Sequence, residues 1–187
     1  MNIAKGTFAG LAQGEIELIR KAIGGQTGIA VEIGCCDGFS TAHILECCQM
    51  QVTTIDPFIP DSMAPTLIGS EERFWTNVRP WMDRIRLIHD YSYNVVGSWT
   101  DPIDFLFIDG DHNYNIVLQD YEQWTPFLKV GGVLGMHDSR MSRTYDQNRG
   151  MFHPGPSQVA ADEVYGRPDK WQIFGENWAL TLVRKLK

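Results

Sequence analysis

Asp109-Gly110-Asp111-His112 and His137-Asp138 place imidazole beside carboxylate twice in one chain. An imidazole exchanges its proton near neutral pH, and a carboxylate accepts hydrogen bonds or holds a cation, so both clusters suit proton transfer or cation binding. A second set has different chemistry. Glu32 precedes the turn Gly34-Cys35-Cys36-Asp37-Gly38, Ser40 follows it, and Asp56 comes later, ahead of Pro57. Glycines in such a turn let backbone approach a ligand closely, and free N–H groups at a helix start attract a carboxylate or phosphate. An acid at the end of the following strand can take both hydroxyls of a ribose, although Asp56 would equally begin a turn before proline. Together the two features point to a nucleoside cofactor.

These groups act together only if the fold gathers them. Ile29–Ile33, Gln51–Ile55, Ile85–Ile88, 105–108 and 133–136 are apolar or β-branched runs of buried-strand length, the last following a Gly131-Gly132 turn. Helical spacing fills 15–24, 40–49, 70–82 and 117–127 between them. This alternation predicts a parallel sheet with helices on both faces, whose ligands sit at the carboxyl ends of the strands. The candidate residues fall at those ends. Runs at 171–174 and 179–183 lie too close together for anything but an antiparallel hairpin, giving seven strands with one reversed. Asp111 is expected to cap a helix starting near Asn113. His43 and His89 are read as structural or solvated. The stretch 139–157 carries Arg140, Arg143, Tyr145, Arg149, Phe152 and His153 and reads either as a lid or binding segment or as a plain solvated loop, with 5–13 a second segment that could fold over the cofactor.

A length of 187 residues suits one domain spanning 1–187, and 43% hydrophobic content is enough for a real core. A net charge of −7 argues against nucleic acid or an anionic membrane as the main partner. Neither a secretory signal nor a long apolar span is visible, so the expected location is the cytoplasm. The adjacent pairs Cys35-Cys36 and Cys47-Cys48 lack C-x-x-C spacing and are read as reduced thiols, not a metal cluster. The spacing in the glycine turn is G-x-x-x-G, not G-x-G-x-x-G, and no tyrosine is followed four residues later by lysine. Hydride transfer loses most of its support.

The run from Val31 to Thr41 resembles the first motif of class I, Rossmann-like S-adenosylmethionine-dependent methyltransferases. Phe107-Ile108-Asp109-Gly110-Asp111-His112-Asn113-Tyr114 and Gly131-Gly132-Val133-Leu134-Gly135-Met136-His137-Asp138 are similar to the fourth and fifth strand ends of their small O-methyltransferase-like branch. The resemblance implies a Rossmann-like three-layer α/β sandwich with a mostly parallel seven-stranded sheet and a C-terminal antiparallel hairpin. It also implies S-adenosylmethionine as cofactor. Glu32, Gly34, Cys35, Cys36, Gly38 and Ser40 would surround its amino-acid end, Asp56 its ribose, and Asp90, Tyr91 and Ser92 its adenine, with Asp109 alongside. Cys36 departs from the middle glycine found in many relatives.

By the same resemblance Asp109, His137 and Asp138 match positions that carry magnesium ligands in metal-dependent relatives. Those relatives show Asp-Asp or Asp-Asn where this chain has His-Asp. Two mechanisms stay open: Mg or Mn held by Asp109, His137 and Asp138, or a metal-free base at His137 or His112, with His153 a weaker candidate. The expected reaction is methyl transfer to a hydroxyl of a small molecule, a sugar or natural-product scaffold. Transfer to nitrogen or carboxylate, a non-catalytic cofactor-binding module and, more remotely, a dehydrogenase are the alternatives.

Overall fold

A computed structural model describes residues 10–140 and 154–187. Thirteen labelled elements follow the expected alternation: α1 (Gln13–Ile23), β1 (Ile29–Ile33), α2 (Phe39–Cys47), β2 (Gln51–Ile55), α3 (Glu71–Val78), β3 (Ile85–Ile88), α4 (Ser92–Val95), β4 (Ile103–Ile108), α5 (Tyr114–Trp124), β5 (Leu128–Met136), α6 (Pro154–Val159), β6 (Trp171–Asn177) and β7 (Leu180–Lys185). The strands form one seven-stranded sheet in the order β3-β2-β1-β4-β5-β7-β6. All pair in parallel except β7, which runs antiparallel to both β5 and β6. The expected fold class is therefore the observed one.

Alternate residues of the central strands feed different helical layers, as a pleated strand requires. Phe105 and Phe107 of β4 pack with Ile16, Ile19 and Ile23 of α1 and Ile44 and Leu45 of α2. Leu106 and Ile108 pack on the other face with Val117, Tyr121 and Trp124 of α5 and Val159 of α6. Winding reverses between β1 and β4, which opens a crevice at their carboxyl ends.

Several boundaries differ from the sequence reading for local reasons. α3 stops at Val78, and Pro80 lies in a tighter 3₁₀ segment over Arg79–Arg84. α5 begins earlier, at Tyr114, and gives way to a 3₁₀ turn containing Pro126. Gly131-Gly132 is not a turn before β5. Ile103 pairs with Leu128 and Phe105 with Val133, so the intervening residues bulge within the strand, and Gly131 takes φ +81° there. The terminal hairpin is longer than expected, turning on Trp178 and Ala179 alone. α6 starts at Pro154, inside the stretch read as irregular. Arg143, Tyr145, Arg149, Phe152, His153 and positions 5–9 lie outside the described residues. No helix among the described residues is long and apolar enough to cross a membrane.

Candidate active site

The glycine turn is held from two sides. Cys35 and Cys36 donate their backbone N–H groups to Asp56 Oδ2 at 2.8 and 2.7 Å, and Phe58 N–H donates to Oδ1 at 2.6 Å. From α3, Arg73 Nε reaches Asp37 at 2.8 Å, Ser70 N–H reaches the same carboxylate at 3.0 Å, and Asn77 donates to the Asp37 carbonyl at 2.8 Å. Cys36, where a glycine stands in many relatives, adopts φ +49°, the left-handed region that costs a side-chain-bearing residue about 1 kcal/mol or more. The brace from Asp56 and α3 offsets that strain.

A cleft of about 390 Å³ runs along the strand ends. Of the residues expected to touch the cofactor, Gly34, Cys36, Asp56, Tyr91, Ser92 and Asp109 line it. Cys35 and Gly38 of the turn, and Ser40 beyond it, do not. Asp90 points elsewhere, accepting from Tyr91 N–H and Asn94. Asp56 spends three of its acceptor positions on backbone, so the two-oxygen clasp of a ribose is reduced to what remains on Oδ1.

Glu32 is fully buried on the α2 side, where Thr41 Oγ1 donates to its Oε2 while Oε1 has no hydrogen-bond partner among the described residues. Burial outweighs the hydroxyls of Ser40 and Thr41 and pushes its carboxyl up to about 8. All four cysteines are free thiols. Burial, with Asp37 and Asp56 nearby, pushes the Cys36 thiol up to about 11, so it lines the cleft as a neutral group.

At the ends of β4 and β5, Asp109, His137 and Asp138 offer one ligand atom each, all within 4.8 Å of one another. His137 Nδ1 lies 3.1 Å from Asp109 and 3.4 Å from Asp138, and its Nε2 lies 3.5 Å from Glu15. Neither ring nitrogen makes an aligned hydrogen bond among the described residues, and both are buried. Burial opposes charge on this ring, but the carboxylates of Asp109 and Asp138 outweigh it and hold the imidazole well above its usual range. Asp138 adopts φ +51°, a strained backbone of the kind found at functional sites. The three groups together could hold a metal ion.

His112 has a different place. Its Nδ1 meets Asp61 at 2.6 Å and its Nε2 meets Asp138 at 2.7 Å. Burial would lower this imidazole, yet the two carboxylates prevail and raise it to about 10. Asp111 does not cap α5; Asn113 does, while Asp111 accepts from Asn113 N–H and from both the N–H and hydroxyl of Ser62. Ser62 and Asp61 thus tie the loop after β2 to the turn after β4. His43 and His89 pair with Glu46 and Glu71 on the surface, away from the cleft.

Because its folded value is raised, His112 adds stability that is complete below its ordinary value near 6.5 and disappears as pH rises through about 10. His112→Gln is expected to cost about 3 kcal/mol at pH 7, since it leaves two buried carboxylates without their cation. Urea melts at pH 7 and pH 10 check this. The wild-type chain should lose markedly more stability between them than the variant, in which the raised His137 still titrates; parallel losses would contradict the assignment.

Sequence reasoning missed Glu15, Asp61, Tyr93 and Asp120. Glu15 is 1% exposed, accepts from Ala12 N–H at 2.7 Å and Ala179 N–H at 3.0 Å, and faces His137. Tyr93 stacks on Tyr91 with ring centroids 5.0 Å apart, and both line the cleft.

A methyltransferase domain family matches residues 31–139, more than half of the chain. The chain belongs to the class I, S-adenosylmethionine-dependent methyltransferases. This methyltransferase is 26% identical over 156 residues to an uncharacterised protein of Acanthamoeba polyphaga mimivirus, a match covering 78% of the chain and 66% of the relative. The chain therefore spans just under two thirds of that relative's length. Its fold is similar to an O-methyltransferase from Bacillus cereus solved with S-adenosylhomocysteine (14% identity, 97% of this chain and 84% of the other, TM-score 0.65). It is also similar to an rRNA methylase from Streptococcus thermophilus (15% identity, 97% of this chain and 100% of the other, TM-score 0.60). At such identities the likeness concerns the fold of the methyltransferase, not its acceptor.

Proposed function

We propose that residues 1–187 form a single domain that transfers a methyl group from S-adenosylmethionine to a hydroxyl oxygen of a small molecule, with Asp109, His137 and Asp138 holding a divalent cation such as Mg or Mn. The observation that carries this reading is the convergence of three ligand atoms within 4.8 Å beside a cleft that Asp109 also lines. The two buried ring nitrogens of His137, lacking aligned partners, fit such an ion. When bound there, a divalent cation lowers the pKa of a hydroxyl and stabilises the resulting oxyanion. A metal-free base at His112 is the weaker alternative, because both of its ring nitrogens are engaged by the carboxylates of Asp61 and Asp138.

The remaining roles follow from placement. Gly34 and Cys36 bring backbone against the amino-acid end of the cofactor, Asp56 meets the ribose through Oδ1, and Tyr91 and Ser92 flank the base. Four carboxyl groups, those of Asp56, Asp61, Asp109 and Asp111, face a cleft that must accept a sulfonium cation, which suits their charge. Methyl transfer by in-line displacement then asks chiefly for alignment of the two reactants.

The fold likeness to an rRNA methylase raises RNA as an acceptor, but the net charge of −7 and the acidic site disfavour a polyanion. A panel of phenols, glycosides, primary amines, carboxylic acids and a short structured RNA, offered with S-adenosylmethionine and Mg, tests the assignment. Formation of a methyl ether, read by mass spectrometry, is expected from a hydroxylated compound alone. Methylated amine, ester or RNA with no ether product would contradict it.

A further inference from the structure

Glu15 is more deeply buried than the start of a helix requires. It occupies the third position of α1, where its Oε2 accepts from Ala12 N–H at 2.7 Å, and a side chain with that task alone can stay in solvent. It is buried instead. Its other oxygen, Oε1, accepts from Ala179 N–H at 3.0 Å and stands 3.5 Å from His137 Nε2. The Ala179 carbonyl in turn accepts from Ser139 Oγ and Arg140 N–H, both at 3.3 Å, just beyond Asp138. One backbone residue of the terminal hairpin thus fixes the Glu15 carboxyl against the end of β5.

We propose that Glu15 is a positioning residue that takes the Nε2–H of His137 and so presents Nδ1, not Nε2, to the divalent cation held with Asp109 and Asp138. The inference rests on the reading that these residues hold a cation. An imidazole has two nitrogens, and the hydrogen bond made by one decides which is left to bind an ion. His137 already separates them, with Nδ1 3.1 Å from Asp109 and 3.4 Å from Asp138 while Nε2 faces Glu15. The pair at 3.5 Å makes no aligned bond, but a small turn of the ring closes it, a tightening that sites commonly show when their ligand arrives.

An aspartate at position 137 would offer either oxygen to an ion without such help, whereas an imidazole must be turned the right way. The two backbone donors on Glu15 come from different elements, so the carboxyl that turns it cannot itself swing. That rigidity is what a supporting group needs if the ligand in front of it is to be held for the ion.

Two binding measurements test this without reference to turnover. Zinc, a diamagnetic ion that takes imidazole nitrogen, is added to wild-type protein carrying isotopically labelled histidine nitrogens. The magnetic resonance spectrum is expected to show His137 bound through Nδ1 and protonated at Nε2; an ion on Nε2 with the proton on Nδ1 overturns the proposal. Titration with Mn, followed through the paramagnetic signal of the free ion, should give an affinity about tenfold to a hundredfold lower for Glu15→Gln than for the wild-type chain, with binding of S-adenosylhomocysteine unchanged. The loss should largely vanish in a His137→Asp background, which has no ring to orient. Equal Mn affinity of Glu15→Gln and wild type overturns the proposal, and so does an equal loss in the His137→Asp background. Should Glu15→Gln fail to fold, the zinc spectrum of the wild-type protein decides alone. A wild-type chain that takes up neither ion would overturn the cation reading itself, so the two failures are distinguishable.

Discussion

Exhaustive dialysis against a chelator is expected to reduce turnover by about a thousandfold, with recovery on adding Mg or Mn, and His137→Ala should fall about as far without recovery. The size reflects the several kcal/mol that a Lewis acid supplies to a developing oxyanion. Asp109, Asp138 and Glu15 all crowd His137, so in the absence of a cation the ring carries the positive charge that keeps those carboxylates together. Removing the ring leaves them facing one another. Affinity for S-adenosylhomocysteine should change little in the dialysed protein, because the turn at Gly34 and the wall at Tyr91 and Ser92 are untouched. Steady-state kinetics alongside titration separates these effects. Full activity after dialysis would contradict the cation site, and loss of cofactor affinity in step with turnover would show that the residues act on binding instead.

Gly34→Ala is expected to remove S-adenosylhomocysteine binding altogether. A Cβ at this position would lie 2.2 Å from the Asp109 carbonyl oxygen and 2.5 Å from Gly110 Cα, both backbone atoms at the end of the neighbouring strand. The backbone there also has φ +82°, which L side chains adopt only under strain. Left-handed strain of about 1 kcal/mol adds to an overpacking cost of about 1–3 kcal/mol, and relief requires β1 and β4 to part where the cleft is built. Gly25→Ala isolates the first contribution, since Gly25 has φ +70° with nothing within 4 Å of the added carbon. Thermal melts and titration of both variants check the expectation. The Gly25 variant should bind normally with a slightly lower Tm; normal binding by the Gly34 variant would show that the turn does not touch the cofactor.

The strands were readable in advance because β1, β2 and β3 are short runs rich in apolar or β-branched residues, with glycine, proline or aspartate just beyond their ends. That fixed where Glu32, Gly34, Asp56 and Asp109 stand along the chain, and the close approach of Gly34 to Asp109 follows from β1 pairing with β4. What escaped depended on distance through space. Asp61 lies between prolines in an irregular loop, 51 positions from the histidine it grips. Glu15 opens the helix read over 15–24, yet it reaches Ala179, 164 positions away. Asp120 did leave a signal, because Val117, Asp120, Tyr121 and Trp124 share one helical face and a carboxyl there must be buried. The glycine pair at 131 and 132 misled for the opposite reason: in one dimension a bulge and a turn have the same residues, and only the pairing with β4 tells them apart.

Titration of the purified wild-type protein with S-adenosylhomocysteine, with and without Mg or Mn, bears most directly on the whole. One molecule should bind per chain, with a heat that survives the absence of metal and a Tm that rises by the amount mass action requires, about 2.7 kcal/mol of added stability at a hundred times Kd. Flat heats and an unmoved Tm at millimolar nucleoside would mean that the cleft between β1 and β4 does not hold this cofactor.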